Sequence, residues 1–422
     1  HWLLPLIATA FAYRQVGSFD LIGDARFLIL ENAYLRSLDQ LWANLTHDYF
    51  WSSSGAGIPY WRPFTKAAWL VERQLFGAST GGLHLVQLGW HLLAVAGVYA
   101  LGRTASLSRW ASSLAALALG LHVAAIEPVC LVMARSDVVV LAATLWSVVG
   151  WLRWRDGARW SYLGLHLLAT IVALASKEVA VTLTPILGLW ILLDRDRRLA
   201  WRRHALALLP AVMLTVAYLI ARHAILDKLP TPALELSRLV AGGAAYLQHL
   251  PPLRLESALR FVPWAETTSL AFIIKGAVTW LLFGGIIVVC WRKQKKALAL
   301  IGWGLLVLAP VLLGKVVHVP GAEDKIALAD RWLYAAIAPL ILCLAALLDR
   351  LHRPLLRRVA VGGVLLWATM SLIVSGPARA AYTNERTFVA IELRNQALIP
   401  PAFRSPLDRC REPQLRFLGQ PS

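Results

Sequence analysis

The sequence predicts an all-α polytopic membrane protein with about eleven transmembrane helices, and three observations carry that prediction. The 422 residues are 58% hydrophobic, with a mean hydropathy of +0.59, more apolar surface than a soluble domain of this size can hide. Apolar runs recur near 2–13, 83–102, 111–126, 138–152, 161–175, 179–193, 205–221, 269–291, 297–313, 332–348 and 359–376. The basic residues behind the net charge of +18 gather in alternate short connections between those runs.

That distribution decides between two readings of the charge. A nucleic-acid surface would place the cations on one soluble face, whereas membrane orientation places them in every second loop. Here Arg103 and Arg109 follow the second run, Arg153, Arg155 and Arg159 the fourth, and Arg195, Arg197, Arg198, Arg202 and Arg203 the sixth. Arg292, Lys293, Lys295 and Lys296 follow the eighth; Arg350, Arg353, Arg357 and Arg358 follow the tenth. The positive-inside rule makes these loops cytoplasmic. Eleven spans then leave the N-terminus inside and the tail outside. Several runs fall short of the roughly 20 residues of a straight span, so their ends are expected to extend into polar flanks.

The first run starts at His1 without a clear beginning, and further residues are expected before it. No small-residue cleavage site follows it, so it reads as an anchor. Cys130, Cys290 and Cys343 lie in or near spans and Cys410 stands in the tail, with neither a disulfide framework nor a metal spacing.

Residues 1–376 thus form one membrane domain with two external regions, 14–82 and 222–268, followed by an extracytoplasmic tail, 377–422. In the first loop, "RFLILENAYLRSLDQLWANL" places Leu35, Leu38, Leu41, Trp42 and Leu45 on one side, as an interfacial amphipathic helix would. "WSSSGAGIPYW" is a loop by composition. "RPFTKAAWLVERQLFG" predicts a second amphipathic helix ending near Gly77. Prolines and charges in 222–268 favour surface or re-entrant helices over a span.

Ionisable groups are costly in lipid and tend to line cavities or pair. In this topology they collect on the outer side: Asp20 and Asp24 after the first run, and His122 and Glu127 at the end of the third. Arg135 and Asp137 open the fourth, Lys177 and Glu178 join the fifth and sixth, and Asp330, Arg331 and Tyr334 open the tenth. Any one couple has an ordinary reading as an interfacial anchor or local ion pair, and His122 as a hydrogen-bonded core histidine. Five segments converging on one side favour a cavity. Cations there suit the phosphate of a lipid, and one carboxylate suits proton removal from a hydroxyl. No zinc spacing, phosphate loop or nucleophile elbow is present.

The order of these motifs resembles the GT-C superfamily of integral-membrane glycosyltransferases. It is most similar to the TPR-linked transmembrane O-mannosyltransferases and their bacterial relatives. The motifs are "GDARFLILEN" with Asp24, "YWRPFT" with Arg62, and "LFGASTGGLHLVQLGWH" with His84 and His91. They continue with His122–Glu127, Arg135–Asp137, Lys177–Glu178 and Asp330-Arg331–Tyr334. The resemblance implies a GT-C-like fold and an inverting transfer, often of mannose, from a polyprenyl-phosphate-linked sugar to a protein Ser/Thr or glycan hydroxyl. The reaction would take place at the periplasmic face of the inner membrane. It implies Asp24 as general base and Arg135, Lys177 and Arg331 as donor-phosphate partners. Arg62, His84, His122, Glu127, Asp137, Glu178 and Tyr334 would shape the pocket. The implied partners are the lipid-linked donor, a protein or glycan acceptor and the bilayer, with no nucleic acid.

Three departures modify the expectation. Ala25 replaces the second acid of the family's pair, which argues against a metal-binding role for the pair while leaving a divalent metal open, and leaves Asp24 with the work; Asp20 could substitute, at a different spacing. Val123 replaces the proline after His122. No TPR array follows the last span within 377–422, which points to a short peptide, a pilin-like protein or a glycolipid as acceptor. The rival readings are a transporter or flippase of lipid-linked sugars, favoured by polar groups within spans and inverted repeats, and a glycan polymerase or ligase using a lipid diphosphate donor.

Overall fold

A computed structural model describes residues 1–51, 60–157, 159–193, 197–226, 243–246, 260–263, 269–293, 295–311, 325–384 and 387. The chain is a helical, multi-pass membrane protein. In order, the helices are α1 (Leu3–Ala12), α2 (Leu41–Thr46), α3 (Pro63–Phe76), α4 (Thr80–Thr104), α5 (Arg109–Gly120), α6 (Ile126–Cys130) and α7 (Arg135–Gly157). They continue as α8 (Trp160–Ser176), α9 (Leu183–Leu193), α10 (Arg197–Ile225), α11 (Leu270–Lys293), α12 (Lys295–Val311), α13 (Asp330–Leu348) and α14 (Pro354–Ala380). A two-stranded antiparallel ribbon, β1 (Arg260–Pro263) with β2 (Lys325–Leu328), pairs Arg260 with Leu328 and Pro263 with Lys325. Sequence patterning did not predict it.

Among the described residues, six helices are long and apolar enough to span a bilayer: α4, 132–157 around α7, 206–225 within α10, 270–288 within α11, α13 and α14. A seventh span arises if α5 and the segment 123–130, bent by 54° at their junction, are taken together. The apolar helices 160–176 and 178–193 are shorter. The expected eleven spans are therefore not reached by length alone. α1, at 10 residues, rises only about 15 Å, half the hydrocarbon thickness.

α7 is the axis of the bundle. Its apolar window is 89% buried, whereas those of 206–225 and 270–288 are 11% and 12% buried and present apolar side chains outward. α7 packs most extensively against α8 and α4, and α12 against α13. The α7–α8 contact is close because Gly150 has no side chain: a Cβ there would sit 2.8 Å from the His166 amide nitrogen and the Tyr162 carbonyl oxygen. Beside it, Ser147 Oγ lies 2.9 Å from both His166 Nδ1 and Thr170 Oγ1, a polar pin between the helices.

The first external loop departs from the expected long amphipathic helix. It breaks into single turns at Arg26–Leu30, Ala33–Leu35 and Leu38–Gln40 before the six residues of α2. Buried Asn32 is one cause. Its Oδ1 accepts from the Tyr34 amide at 3.0 Å and its Nδ2 donates to the Leu28 carbonyl at 3.1 Å, so it competes with the helical ladder. Leu38, Leu41 and Trp42 are nonetheless exposed, as an interfacial face requires. α3 follows the sequence expectation: Pro63 begins it and Gly77, at φ +57°, ends it. Of the region 222–268 only 222–226, 243–246 and 260–263 are described, and most of the tail 377–422 likewise lies outside the described residues.

Candidate functional site

Three helix breaks bring charged side chains to one end of the bundle. At the first, Arg62 precedes Pro63, which holds the preceding residue out of the helical region and fixes the start of α3. At the second, Lys177 adopts an extended backbone (φ −156°, ψ 142°) between α8 and the turn Glu178–Thr182. The third is the first turn of α7, where Asp137 sits near a helix N-terminus, a favourable place for a carboxylate.

Across these breaks the charges pair. Arg62 grips Glu178 with two hydrogen bonds, Nε to Oε1 at 3.4 Å and Nη2 to Oε2 at 3.1 Å. Its Nη1 donates to Ser136 Oγ at 3.2 Å. The guanidinium also stands over two aromatic rings, 4.7 Å from Tyr60 and 5.1 Å from Tyr49. Lys177 Nζ donates to Asp137 Oδ1. Burial works against the Arg62 cation, but Glu178, Tyr49 and Asp137 together outweigh it and hold the group above the usual arginine range. Lys177 is driven down by burial, with Asp137 opposing the shift.

A third pair closes the neighbourhood. Glu127, at the start of α6, accepts the Arg331 backbone amide at 3.0 Å and its Nη1 at 2.5 Å, and so caps the N-terminus of α13. Arg331 is the most exposed cation of the three pairs, at 27%, and lies over the Trp332 ring. The charge of Asp137 reaches Arg331 and Glu127 as well as Lys177, which places the pairs in one electrostatic environment.

Asp24 lies within electrostatic reach of Tyr49, the ring beneath Arg62, in a local structure of its own. Gly23 before it has φ +57°, a left-handed conformation that favours glycine. After it the chain makes a wide turn, closed by the Glu31 amide donating to the Arg26 carbonyl five residues back at 3.0 Å. Such turns are enriched at functional sites. The segment is tied down by the Asp20 amide, which donates to the Thr383 carbonyl at 2.9 Å, and by His84 Nε2, 3.3 Å from the Asp20 carbonyl. Asp24 is half-buried and makes no side-chain hydrogen bond or ion pair with a described residue. Its charge reaches the Tyr49 phenol together with those of Arg62, Asp137 and Glu178. Burial pushes that phenol up, with Arg62 opposing.

The other predicted residues lie elsewhere. Arg135 is wholly buried and saturated: it pairs with Glu72, donates to Gln87 Oε1 and reaches the Leu83 carbonyl at 2.9 Å. It pins α7 to α3 and α4 and offers nothing to a ligand. His84 supports the first loop, as described. His122 Nδ1 accepts the Ala124 amide at 3.0 Å and caps the turn Val123–Ala125, which forms without the family's proline. Tyr334 is fully buried, with its hydroxyl 2.7 Å from His91 Nδ1. Ala25 is 0% exposed within an apolar cluster of Leu21, Leu28, Ile29 and Trp69, so that position faces the core rather than Asp24's surroundings. No group of three or more His, Cys, Asp or Glu converges on a metal-sized site among the described residues.

Sequence reading missed Tyr49, Tyr60, Ser136 and Lys66. Lys66, one helical turn after Arg62 on α3, is 2% exposed and donates to the Asp48 carbonyl at 3.2 Å. Burial lowers its ammonium to about 8, with Asp48 opposing. The only available signal was its four-residue offset from Arg62.

No family model matches the chain. Over 169 residues, 39% of this chain, it is 27% identical to the protein O-mannosyl-transferase Tmtc1 of Drosophila melanogaster, of which that stretch is 20%. The oligosaccharyltransferase of Archaeoglobus fulgidus, solved with a tethered acceptor peptide, aligns over 91% of this chain and 55% of its own, with a TM-score of 0.51 and 14% identity. ArnT from Cupriavidus metallidurans, solved with undecaprenyl phosphate, aligns over 86% and 62%, with a TM-score of 0.46 and 18% identity. The chain therefore spans a fifth of the curated relative and somewhat over half of each solved structure. The likeness to the archaeal enzyme shows that the expected GT-C-like fold is the fold of this chain.

Proposed function

We propose that this protein is an inverting glycosyltransferase that moves a sugar from a polyprenyl-phosphate carrier to a hydroxyl acceptor at the periplasmic face of the inner membrane. The carrying observation is a half-buried carboxylate, Asp24, whose charge reaches Tyr49 together with those of Arg62, Asp137 and Glu178, members of three ion pairs drawn from four distant connections: Arg62–Glu178, Lys177–Asp137 and Arg331–Glu127. The motif order and the partial similarity to Tmtc1 support sugar transfer to a hydroxyl, with mannose as the sugar.

In this reading the acceptor oxygen forms a bond to the anomeric carbon as the bond to the carrier phosphate breaks, and the electron pair leaves with the phosphate. Asp24 takes the acceptor proton. A hydroxyl loses its proton far above neutral pH, so this transfer comes late. Lys177 and Arg331 neutralise charge on the departing phosphate, and Arg62 holds Glu178 and the first loop in place. Each cation enters the site already paired, so the phosphate is received by exchange of carboxylate contacts rather than by bare positive charge. Enclosed by Glu72 and Gln87, Arg135 drops out of the phosphate set. Residues 1–376 carry the reaction, with 14–82 supplying the base.

The test is a product assay. Protein reconstituted in liposomes is supplied with polyprenyl-phosphate-linked mannose and a Ser/Thr peptide or glycan acceptor. Mass spectrometry should detect the acceptor heavier by one hexose. Movement of intact donor between leaflets without any product would instead identify a transporter.

A further inference from the structure

The opposite end of the bundle holds a cavity that the transfer reaction does not use. It lies about 30 Å from the Asp24 end, the rise of α7 from Arg135 to Arg155. The ends of α4, α7, α9 and α13 and the start of α12 surround a volume of about 330 Å³, within the usual range for a small-ligand site. Arg155, Lys295, Lys296 and Arg350 line it, against two acids, Asp156 and Asp349. Both acids are already engaged. Asp349 accepts the Ser108 amide at 2.8 Å and the Ser108 hydroxyl at 2.5 Å, capping α5, and Asp156 accepts Arg155 Nε at 2.9 Å.

Two further features point to an anionic ligand. Trp190 lines the cavity and is 5% exposed, yet its indole N–H has no acceptor among the described residues. A buried donor of that kind costs stability unless something accepts it. Lys296 reaches only neutral acceptors, the Ala105 carbonyl and Ser106 Oγ, both at 3.4 Å. Ser106 is held at φ +71°, a strained conformation for a residue with a Cβ and of the kind found at ligand clamps. Four helix C-termini meet here, and their partial negative charge opposes an anion. The cations and the indole donor overcome it. A neighbouring cavity that shares Thr104, Ser106 and Asp156 adds Arg103, Arg153 and Arg159.

We propose that this cavity binds the phosphate of an anionic phospholipid of the cytoplasmic leaflet. The side follows from the positive-inside rule, and basic pockets between helix ends on that side are where anionic headgroups dock. Leu107, Leu152 and Leu193 supply an apolar wall beside the cations, which suits a headgroup with its glycerol and acyl chain stems better than a free ion.

The test uses the full chain in neutral detergent, titrated separately with phosphatidylglycerol, phosphatidylcholine and inorganic phosphate, with the thermal midpoint as readout. Phosphatidylglycerol should raise the midpoint, and phosphatidylcholine should not. Lys296→Ala combined with Arg350→Ala should weaken the apparent phosphatidylglycerol affinity roughly tenfold or more. Trp190→Phe, which removes the N–H together with part of the indole ring, should weaken it in the same direction. Arg353→Ala, a cation at the same end but outside the cavity, should leave it unchanged. Equal weakening by Arg353→Ala, or an equal response to phosphatidylcholine, would overturn the site. A full response to inorganic phosphate would reassign it to a soluble anion and overturn the lipid assignment. Native mass spectrometry of the unmodified protein gives a second reading: retained phosphatidylglycerol supports the site, and its absence contradicts it.

Discussion

Arg62 and Glu178 lie 116 residues apart in sequence and meet in a two-point ion pair, with Nη2 3.1 Å from Oε2. Through this pair the first external loop is fastened to the break between α8 and α9. Removing Glu178 would leave a guanidinium enclosed by Tyr49 and Tyr60 without its counter-charge. Glu178→Ala should therefore cost about 3 kcal/mol of stability. Arg62→Ala with Glu178→Ala should cost clearly less than the sum of the single changes. Thermal unfolding of the four proteins in detergent measures that coupling, and simple additivity would refute it.

Arg135 separates structure from chemistry. Its guanidinium is saturated by Glu72, Gln87 and the Leu83 carbonyl. Arg135→Met should destabilise the bundle by about 3–5 kcal/mol, visible as loss of folded protein in size-exclusion profiles. Lys177→Met strands the buried Asp137 carboxylate and should also cost about 3 kcal/mol, but unlike Arg135→Met it should lower donor binding in the protein that does fold.

How the ion pairs form explains what could be read from the sequence. Charged end regions and apolar helices were legible, because each is a property of a single segment. The pairings were not. Sequence adjacency suggested Arg135 with Asp137 and Lys177 with Glu178, but Arg135 and Asp137, two apart on α7, do not face each other, and Lys177 and Glu178 straddle a helix break. The structure pairs Arg135 with Glu72, Lys177 with Asp137, and Arg62 with Glu178. Each partner comes from a distant segment, set by packing that no local spacing records. The fragmented first loop has the same origin in side-chain to backbone bonds such as those of Asn32.

The Asp137–Lys177 pair makes donor binding sensitive to pH once it is broken. Burial already depresses Lys177, and Asp137 opposes that depression. Asp137→Asn removes the opposing charge, so Lys177 should lose its proton at lower pH than in the parent. Binding of a lipid phosphate, measured by fluorescence competition, should then fall at a lower pH in the variant than in the parent. Parallel profiles would count against Lys177 as a phosphate partner.

Lys66 gives a second pH signature, in stability. Its folded-state value of about 8 lies below the ordinary 10.5. Between those values the unfolded chain binds the extra proton, so stability should rise as pH increases from about 8 towards 10.5. Lys66→Met should abolish that rise. Thermal midpoints at pH 7.5, 9 and 10 for both proteins provide the comparison, and an unchanged slope in the variant would contradict it.

Glu127 holds Arg331 by both its backbone amide and its guanidinium. Glu127→Gln keeps an acceptor for the amide but removes the charge that orients the guanidinium. Sugar transfer at saturating acceptor should drop about tenfold or more, with folding retained; an unchanged rate would remove Arg331 from the site.

The most direct measurement compares Asp24→Asn with the parent in single-turnover transfer from polyprenyl-phosphate-linked mannose, alongside donor binding by the same preparations. Transfer should fall by about 10²–10⁴ while donor affinity stays within a small factor. Transfer at the parent rate, or loss of donor binding in step with activity, would contradict Asp24 as the proton acceptor.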